Sequence, residues 1–422
     1  MAEYRARITD GELATRLRAA GAVLLEGPKA CGKTETARRQ AASVVLLDVD
    51  QAAQTAARID PLVVLEGETP RLLDEWQVVP EVWNAVRRQV DERGADGQFI
   101  LTGSATPADD ITRHTGAGRI ARLRMRTMTL HETGHSSGTA SLSVLLGETF
   151  TSCPDPGLAL DDLIELVCRG GWPAALRRSL PDAQQSVTDY LEEIRRTDIH
   201  TVDGVRRDPA RVRAVLVALA RNVATQVAIS TLATDTGALL DTGTRPREET
   251  VADYLAALER LMIIEDQPAW APHLRSRSLV RGAPKRHFVD PSLAVAALGA
   301  RPADLRADLN LFGFLFESLV IRDLRVFAQP LGAEIRHYRD NTGLEVDAVV
   351  TAGNDRWGAF EIKLGASRTV VDQAAATLLK FAARVDTSKC GEPAVLAVIV
   401  GNGYGYTRPD GVAVVPIGAL CP

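Results

Sequence analysis

Lysine is nearly missing from this chain: of 49 basic residues only Lys29, Lys33, Lys285, Lys363, Lys380 and Lys389 are not arginine. Where lysine persists against that background, a compact ammonium is the chemical need, since a planar guanidinium does not replace a point charge. Lys33 and Lys363 are the two such positions used below. No apolar run approaches the roughly 20 residues of a membrane-spanning helix, and the opening residues carry no signal-peptide apolar region. A membrane is therefore not an expected partner. The five cysteines, Cys31, Cys153, Cys168, Cys390 and Cys421, form no Cys-x-x-Cys pair. That argues against structural zinc and makes a reduced, cytoplasmic setting the expectation. Positive charge is not in excess either. The net charge is −5, so any nucleic-acid surface must be local.

What the chain has is length and a phosphate-loop pattern. Its 422 residues exceed one hydrophobic core, which predicts two or three domains. The apolar run 22–25 enters Gly27-Pro28-Lys29-Ala30-Cys31-Gly32-Lys33-Thr34, and a helix-competent segment, 35–42, follows. Strand, Gly-x-x-x-x-Gly-Lys-Thr loop and helix in that order make a polyphosphate site, because loop N–H groups and a helix N-terminus converge on one anion. Lys33 is expected to reach the β- and γ-phosphates of ATP, and the Thr34 hydroxyl to hold Mg²⁺.

A second strand is expected at 43–50, so alternating strands and helices imply a parallel sheet. Asp74 and Glu75 follow the short apolar pair Leu72-Leu73, about 40 residues beyond the loop. An acidic pair at a strand end suits a Mg-dependent nucleotidase, with Asp74 on the metal side and Glu75 polarising the attacking water. The strand 98–104 ends in Thr102 and Ser104, either of which is placed to sense the γ-phosphate. Arg113 and Arg119 flank a glycine-rich bend, and Arg119 is a candidate to stabilise phosphoryl transfer in trans, which would imply a homo-oligomer.

Together, GPKACGKT, RLLDEWQ with Trp83 and Arg87 downstream, FILTGSATP and GAGRIARLRMRTMTLHE resemble a large bacterial and archaeal family of AAA-superfamily ATPases fused to an uncharacterised C-terminal region. GGWPAAL near 171, PKRHFVDPSLA near 285 and the C-terminal EVD and EIK segments extend the likeness over nearly the whole chain. The resemblance implies ATP binding and several domains, and no settled biological role.

The expected fold is α/β. It comprises a P-loop AAA-type ATPase domain over 1–135, a helical connector or lid over 136–205, a winged-helix-like domain over 206–300 and a restriction-endonuclease-like domain over 301–422. In the winged helix, the third helix exposes Glu248, Glu249, Asp253 and Glu259, which the phosphate backbone of DNA would repel. Phosphate contact falls instead to the wing, with Arg275, Arg277, Arg281, Lys285 and Arg286.

The last domain holds the second constellation. A hairpin is expected over 334–339 and 344–349, turning at Asn341-Thr342-Gly343, followed by a strand over 359–364. Asp347, Glu361 and Lys363 then converge in a PD-(D/E)xK arrangement. Asp347 and Glu361 are the candidate ligands for Mg²⁺ or Mn²⁺, and Lys363 is the group that orients water. Glu317 on an apolar helix would complete the site, with Gln373 a further candidate. Two functions follow. In one, a Mg-dependent ATPase drives a DNA-processing module; in the other, nucleotide gates a protein interaction and the nuclease-like region is an inactive scaffold. A small-molecule kinase is disfavoured, because the Asp74-Glu75 pair suits water as nucleophile.

Overall fold

The computed structural model describes residues 4–104, 115–201, 204–241, 243–271, 282–353 and 356–422. Arg113, Arg275, Arg277 and Arg281 lie outside the described residues. The chain divides into two compact units. One comprises Met1–Thr127 with Asp198–Arg206 and Ala257–Met262; the other comprises Met128–Thr197, Arg207–Ala256 and Ile263–Pro422.

In the first unit a sheet is built from β1 (Ala22–Glu26), β2 (Ser43–Leu46), β3 (Arg71–Asp74), β4 (Phe99–Gly103) and β5 (Ile120–Arg124). Its order is β2-β3-β4-β1-β5 and every pairing is parallel. Strand β1 sits between β4 and β5 and is buried on both faces. Ala22 and Leu24 join one apolar cluster with Trp76, Trp83 and Phe99, while Val23 and Leu25 join another with Leu13, Leu72 and Ile100. This two-sided burial explains why β1 reads as a continuous apolar run instead of an alternating one. From β1 the chain runs through helix α2 (Lys33–Arg38) to the far edge at β2, and later returns to β1's other side as β5. The loop after β1 therefore lies at a topological switch, outside the carboxyl ends of the strands, where α/β sheets take ligands.

The second unit holds a seven-stranded mixed sheet. Its strands include β6 (Ser152–Cys153), β7 (Ala333–Arg339), β8 (Glu345–Ala352), β9 (Arg356–Lys363) and β10 (Val395–Val400). The hairpin β7–β8 turns at Asp340, whose N–H donates to Leu344 O at 3.0 Å. Strand β8 pairs antiparallel with β9, which pairs parallel with β10. The Leu309–Ala328 helix packs on β7, β8 and β9, and the Arg368–Ala382 helix packs on β8, β9 and β10. The Leu315–Ala328 portion of the Leu309–Ala328 helix is buried almost all round, which is why its sequence lacks an amphipathic stripe. Ser152–Cys153, from the segment expected to belong to a lid, adds an edge strand to this sheet. The helices Leu160–Arg169, Leu180–Glu193, Pro209–Arg221 and Pro291–Leu298 pack among themselves. Where a wing hairpin was expected, the backbone forms two isolated antiparallel bridges, Ile264 with Phe288 and Gln267 with Lys285. Among the described residues no helix is long and apolar enough to cross a membrane.

Candidate functional sites: a phosphate loop and a carboxylate cluster

The loop leaving β1 is shaped by two glycines. A Cβ on Gly27 would meet the carbonyl oxygen of Met125 at 2.2 Å, so only glycine allows β5's continuation to pass so close. Gly32 adopts φ 107°, a left-handed conformation that glycine takes without strain, and the helix α2 starts at the next residue. Arg7 braces the loop from below: its Nη1 donates to Cys31 O at 2.8 Å and its Nη2 donates to Arg126 O at 2.8 Å. The Cys31 side chain points into the core and is fully buried. It can serve a ligand only through its backbone.

Lys33 is buried, and its Nζ donates to Gly27 O at 2.9 Å and Pro28 O at 3.0 Å. The ammonium is thus held inside the loop by the carbonyls of the first two loop residues. Thr34 Oγ1 donates to Asp74 Oδ1 at 2.9 Å. Thr102 Oγ1 also donates to Asp74, from beneath, and is completely buried. Thr102 therefore orients Asp74 and does not face the cavity, whereas Ser104 lines it.

Glu75 occupies the left-handed region, φ 51° and ψ 47°, immediately after β3. For a side chain with a Cβ this conformation costs on the order of 1 kcal/mol and marks positions the surroundings over-determine. Its carboxylate accepts from Ser104 Oγ at 2.9 and 3.1 Å and from Gln77 Nε2. A cavity of about 640 Å³ opens here, within the range typical of small-molecule sites, roughly 300–1,000 Å³. It is lined by Lys29, Ala30, Gly32, Lys33, Thr34, Glu75, Gln77 and Ser104, together with Asp198 and Leu261. Lys29 Nζ donates to Asp198 Oδ1 at 2.6 Å across it.

Arg119 is placed otherwise. It precedes β5, and its carbonyl accepts from Ala22 N at the start of β1. In a parallel sheet that is the end opposite the loop, about 16 Å away along five residues of strand. Its guanidinium pairs with Asp91 at 2.8 Å and does not line the cavity of its own chain. The hydrogen bond to Asp91 raises its pKa.

The second constellation forms on β8 and β9. Their last paired residues are Ala348 and Phe360, and the next positions are Asp347 and Glu361. There Asp347 Oδ2 accepts from the Ile362 N–H at 2.9 Å. Lys363 Nζ lies 3.1 Å from Asp347 Oδ2 and 2.6 Å from Glu361 Oε2. Asp347, Glu361 and Lys363 are therefore brought together, and Glu317 joins them from its helix. Gln373 is exposed.

Two members were not anticipated in these roles. Lys285, assigned above to a wing facing phosphate, is instead buried, with a side chain 2% exposed. Its Nζ lies 2.8 Å from Glu317 Oε1, 3.0 Å from Glu345 Oε1 and 3.2 Å from Asp347 Oδ1. Arg286, its neighbour in the expected wing, pairs with Asp266. The signal for Lys285 was the same lysine scarcity that flagged Lys33 and Lys363. Glu345 carried no signal beyond its place two residues before Asp347. Of the acidic positions on the expected recognition helix, Asp253 pairs with Arg207 at 3.1 Å and Glu248 with Arg245 at 3.2 Å.

Burial, followed by the neighbouring Asp347 charge, pushes both Glu317 and Glu361 up to about 8, against the lowering pull of the lysines. Burial opposes ionisation of Asp347 too, but Lys285 and Lys363 outweigh it and hold its carboxyl below the ordinary range. Burial would lower both lysines; their carboxylate partners reverse that and raise them. Among the described residues, no group of three or more His, Cys, Asp and Glu side chains is arranged to hold a metal ion.

Three family models match parts of the chain. Residues 19–134 match the family model of an AAA domain. Residues 160–304 and 312–420 match two families described as domains of unknown function. An uncharacterized protein of Mycobacterium tuberculosis and one of Mycobacterium bovis are each 22% identical over 405 residues, which covers 95% of this chain and 81% of theirs. Among solved structures, a Walker-type ATPase of Pyrococcus abyssi aligns with a TM-score of 0.40 and 12% identity, over 68% of this chain and 94% of that one.

Proposed function

We propose that residues 19–134, which match the family model of an AAA domain, form a P-loop ATPase that hydrolyses Mg-ATP in the cavity after β1 and uses the nucleotide state to gate the region that follows. The observation that carries this reading is the grouping of Lys33, Thr34, Asp74, Glu75 and Ser104 at one end of the parallel sheet.

In this reading the phosphates of ATP lie against the N–H groups of residues 29–34, at the start of α2. Lys33 leaves the carbonyls of Gly27 and Pro28 for the β- and γ-phosphates. Thr34 and Asp74, already in hydrogen-bond contact, are the residues that would hold Mg²⁺, and their hydroxyl and carboxylate oxygens suit a hard cation. The ion supplies charge neutralisation on the β- and γ-oxygens. Glu75 accepts a proton from the attacking water, whose oxygen bonds to the γ-phosphorus as the β,γ-bridging P–O bond breaks. The products are ADP and phosphate. Glu75 must first exchange Ser104 and Gln77 for that water. The test is phosphate release by the full chain: Lys33→Ala should abolish it, and unchanged hydrolysis by that variant would remove the reading.

The chain passes between the two units at residues 127/128, 197/198, 206/207, 256/257 and 262/263, so a change in the first has covalent routes to the second. We assign the second unit the role of a nuclease-like scaffold that binds a partner under nucleotide control. A second reading, DNA processing with Mg²⁺ or Mn²⁺, has in its favour the register that sets Asp347, Glu361 and Lys363 together. Nicking of supercoiled DNA that Asp347→Ala eliminates would establish that alternative.

A further inference from the structure

We propose that Lys285 is a fixed internal cation, whose ammonium takes the position a divalent metal would occupy among Glu317, Glu345 and Asp347, so that the cluster accepts neither Mg²⁺ nor Mn²⁺. An ammonium has three donors and no acceptor. Here it meets three carboxylate oxygens, at 2.8, 3.0 and 3.2 Å, one from each acid. Those are hydrogen-bond lengths around nitrogen, well outside the ~2.0–2.1 Å of Mg²⁺–oxygen bonds.

Both oxygens of Asp347 are already engaged. Oδ1 faces Lys285, while Oδ2 accepts from Ile362 N and Lys363 Nζ. Glu361 is engaged by Lys363 at 2.6 Å. A divalent ion entering this cluster would have to displace a buried ammonium, whose side chain is 2% exposed.

The backbone holds it in place. Lys285 N donates to Gln267 O at 3.0 Å and Gln267 N donates to Lys285 O at 2.9 Å, a closed two-bond bridge. The fully buried Gln267 then ties this bridge to the cluster, since its Nε2 donates to Asp347 O at 2.9 Å. Its Oε1 lies 3.1 Å from His287 Nε2, and His287 Nδ1 lies 2.7 Å from Ser318 Oγ, on the helix that carries Glu317. Lys285 and two of its three acids are thus positioned by one continuous buried network. A loosely attached arm would show none of these restraints. The chemistry that follows is a hydrolytically silent unit, in which carboxylates of nuclease-like placement serve an internal ion cluster.

The test is Mn²⁺ binding by the nucleotide-free full chain, followed by the electron paramagnetic resonance of free Mn²⁺. The wild type should bind no more Mn²⁺ than Asp347→Asn, which leaves the phosphate loop untouched. Lys285→Met, which keeps the stem and removes the charge, should gain one equivalent, and adding Asp347→Asn should remove it. Greater Mn²⁺ binding by the wild type than by Asp347→Asn would overturn the proposal, as would a folded Lys285→Met chain that gains none. If Lys285→Met does not fold, the comparison of wild type with Asp347→Asn decides alone.

Discussion

Replacing Lys33 with methionine retains most of the side-chain stem and deletes only the charged head. In the structure that head donates to two neutral carbonyls, Gly27 O at 2.9 Å and Pro28 O at 3.0 Å. Both residues are buried, so their carbonyls lose those donors away from water and the folded state should lose about 1–3 kcal/mol. The kinetic effect should be larger. On ATP, two neutral acceptors are exchanged for charged phosphoryl oxygens, and removing one such donor from a developing charge costs about 2.7–4 kcal/mol, or roughly 10²–10³ in turnover. The assay is steady-state phosphate release at saturating Mg-ATP, with thermal unfolding of the same samples. A variant that unfolds within a few degrees of the wild type and turns over within about threefold of it would refute the role given to Lys33.

Glu75→Gln should retain ATP binding and lose hydrolysis by roughly 10²-fold or more, the size of a general-base contribution; bound ATP should then be recovered intact after long incubation. Gly27→Ala drives a methyl to 2.2 Å from Met125 O and should destabilise the first unit by about 1–3 kcal/mol or more, read as a lower unfolding temperature. The stability of the second unit should fall as pH rises from 6.5 to 8. Over that window folded Glu317 and Glu361 still hold protons, at pKa values of about 8, that the unfolded chain has released. Two such protons correspond to about 3–4 kcal/mol, and Glu361→Gln should remove roughly half of the slope in chemical denaturation. Below pH 6.5 the profile should flatten. There burial, with Lys285 next, holds His337 at about 4, and burial likewise lowers His287. As pH falls the unfolded histidines gain protons that the folded ones refuse, a loss of stability that opposes the gain from the glutamates.

The phosphate loop was legible because its chemistry is contiguous: one strand, one turn and one helix start bring all its groups together. The pair Asp74-Glu75 was legible for a similar reason, since a strand end delivers both. Arg119 lies away from the cavity of its own chain through direction. It precedes its strand, and parallel pairing with β1 sends residues before a strand to the end away from the loop. Asp347, Glu361 and Lys363 could be paired from strand alternation, since only two neighbouring strands had to be read. Lys285 could not be placed that way. It reaches the cluster through an isolated bridge with Gln267, outside the regular strands, and its neighbours in sequence read as a solvated basic wing. Its rarity as a lysine flagged the position, but the carboxylates that need it come from 32, 60 and 62 residues away in the chain.

The left-handed backbone at Glu75 has one more consequence. Its carboxylate is latched by a serine and a glutamine at the same point where the chain is bent against its preference. Unlatching it would free a base at that bend, so a ligand that competes for Ser104 or Gln77 would set the carboxylate loose. Idle cleavage of nucleotide should be slow in a resting molecule, and any cue that loosens either latch would quicken it.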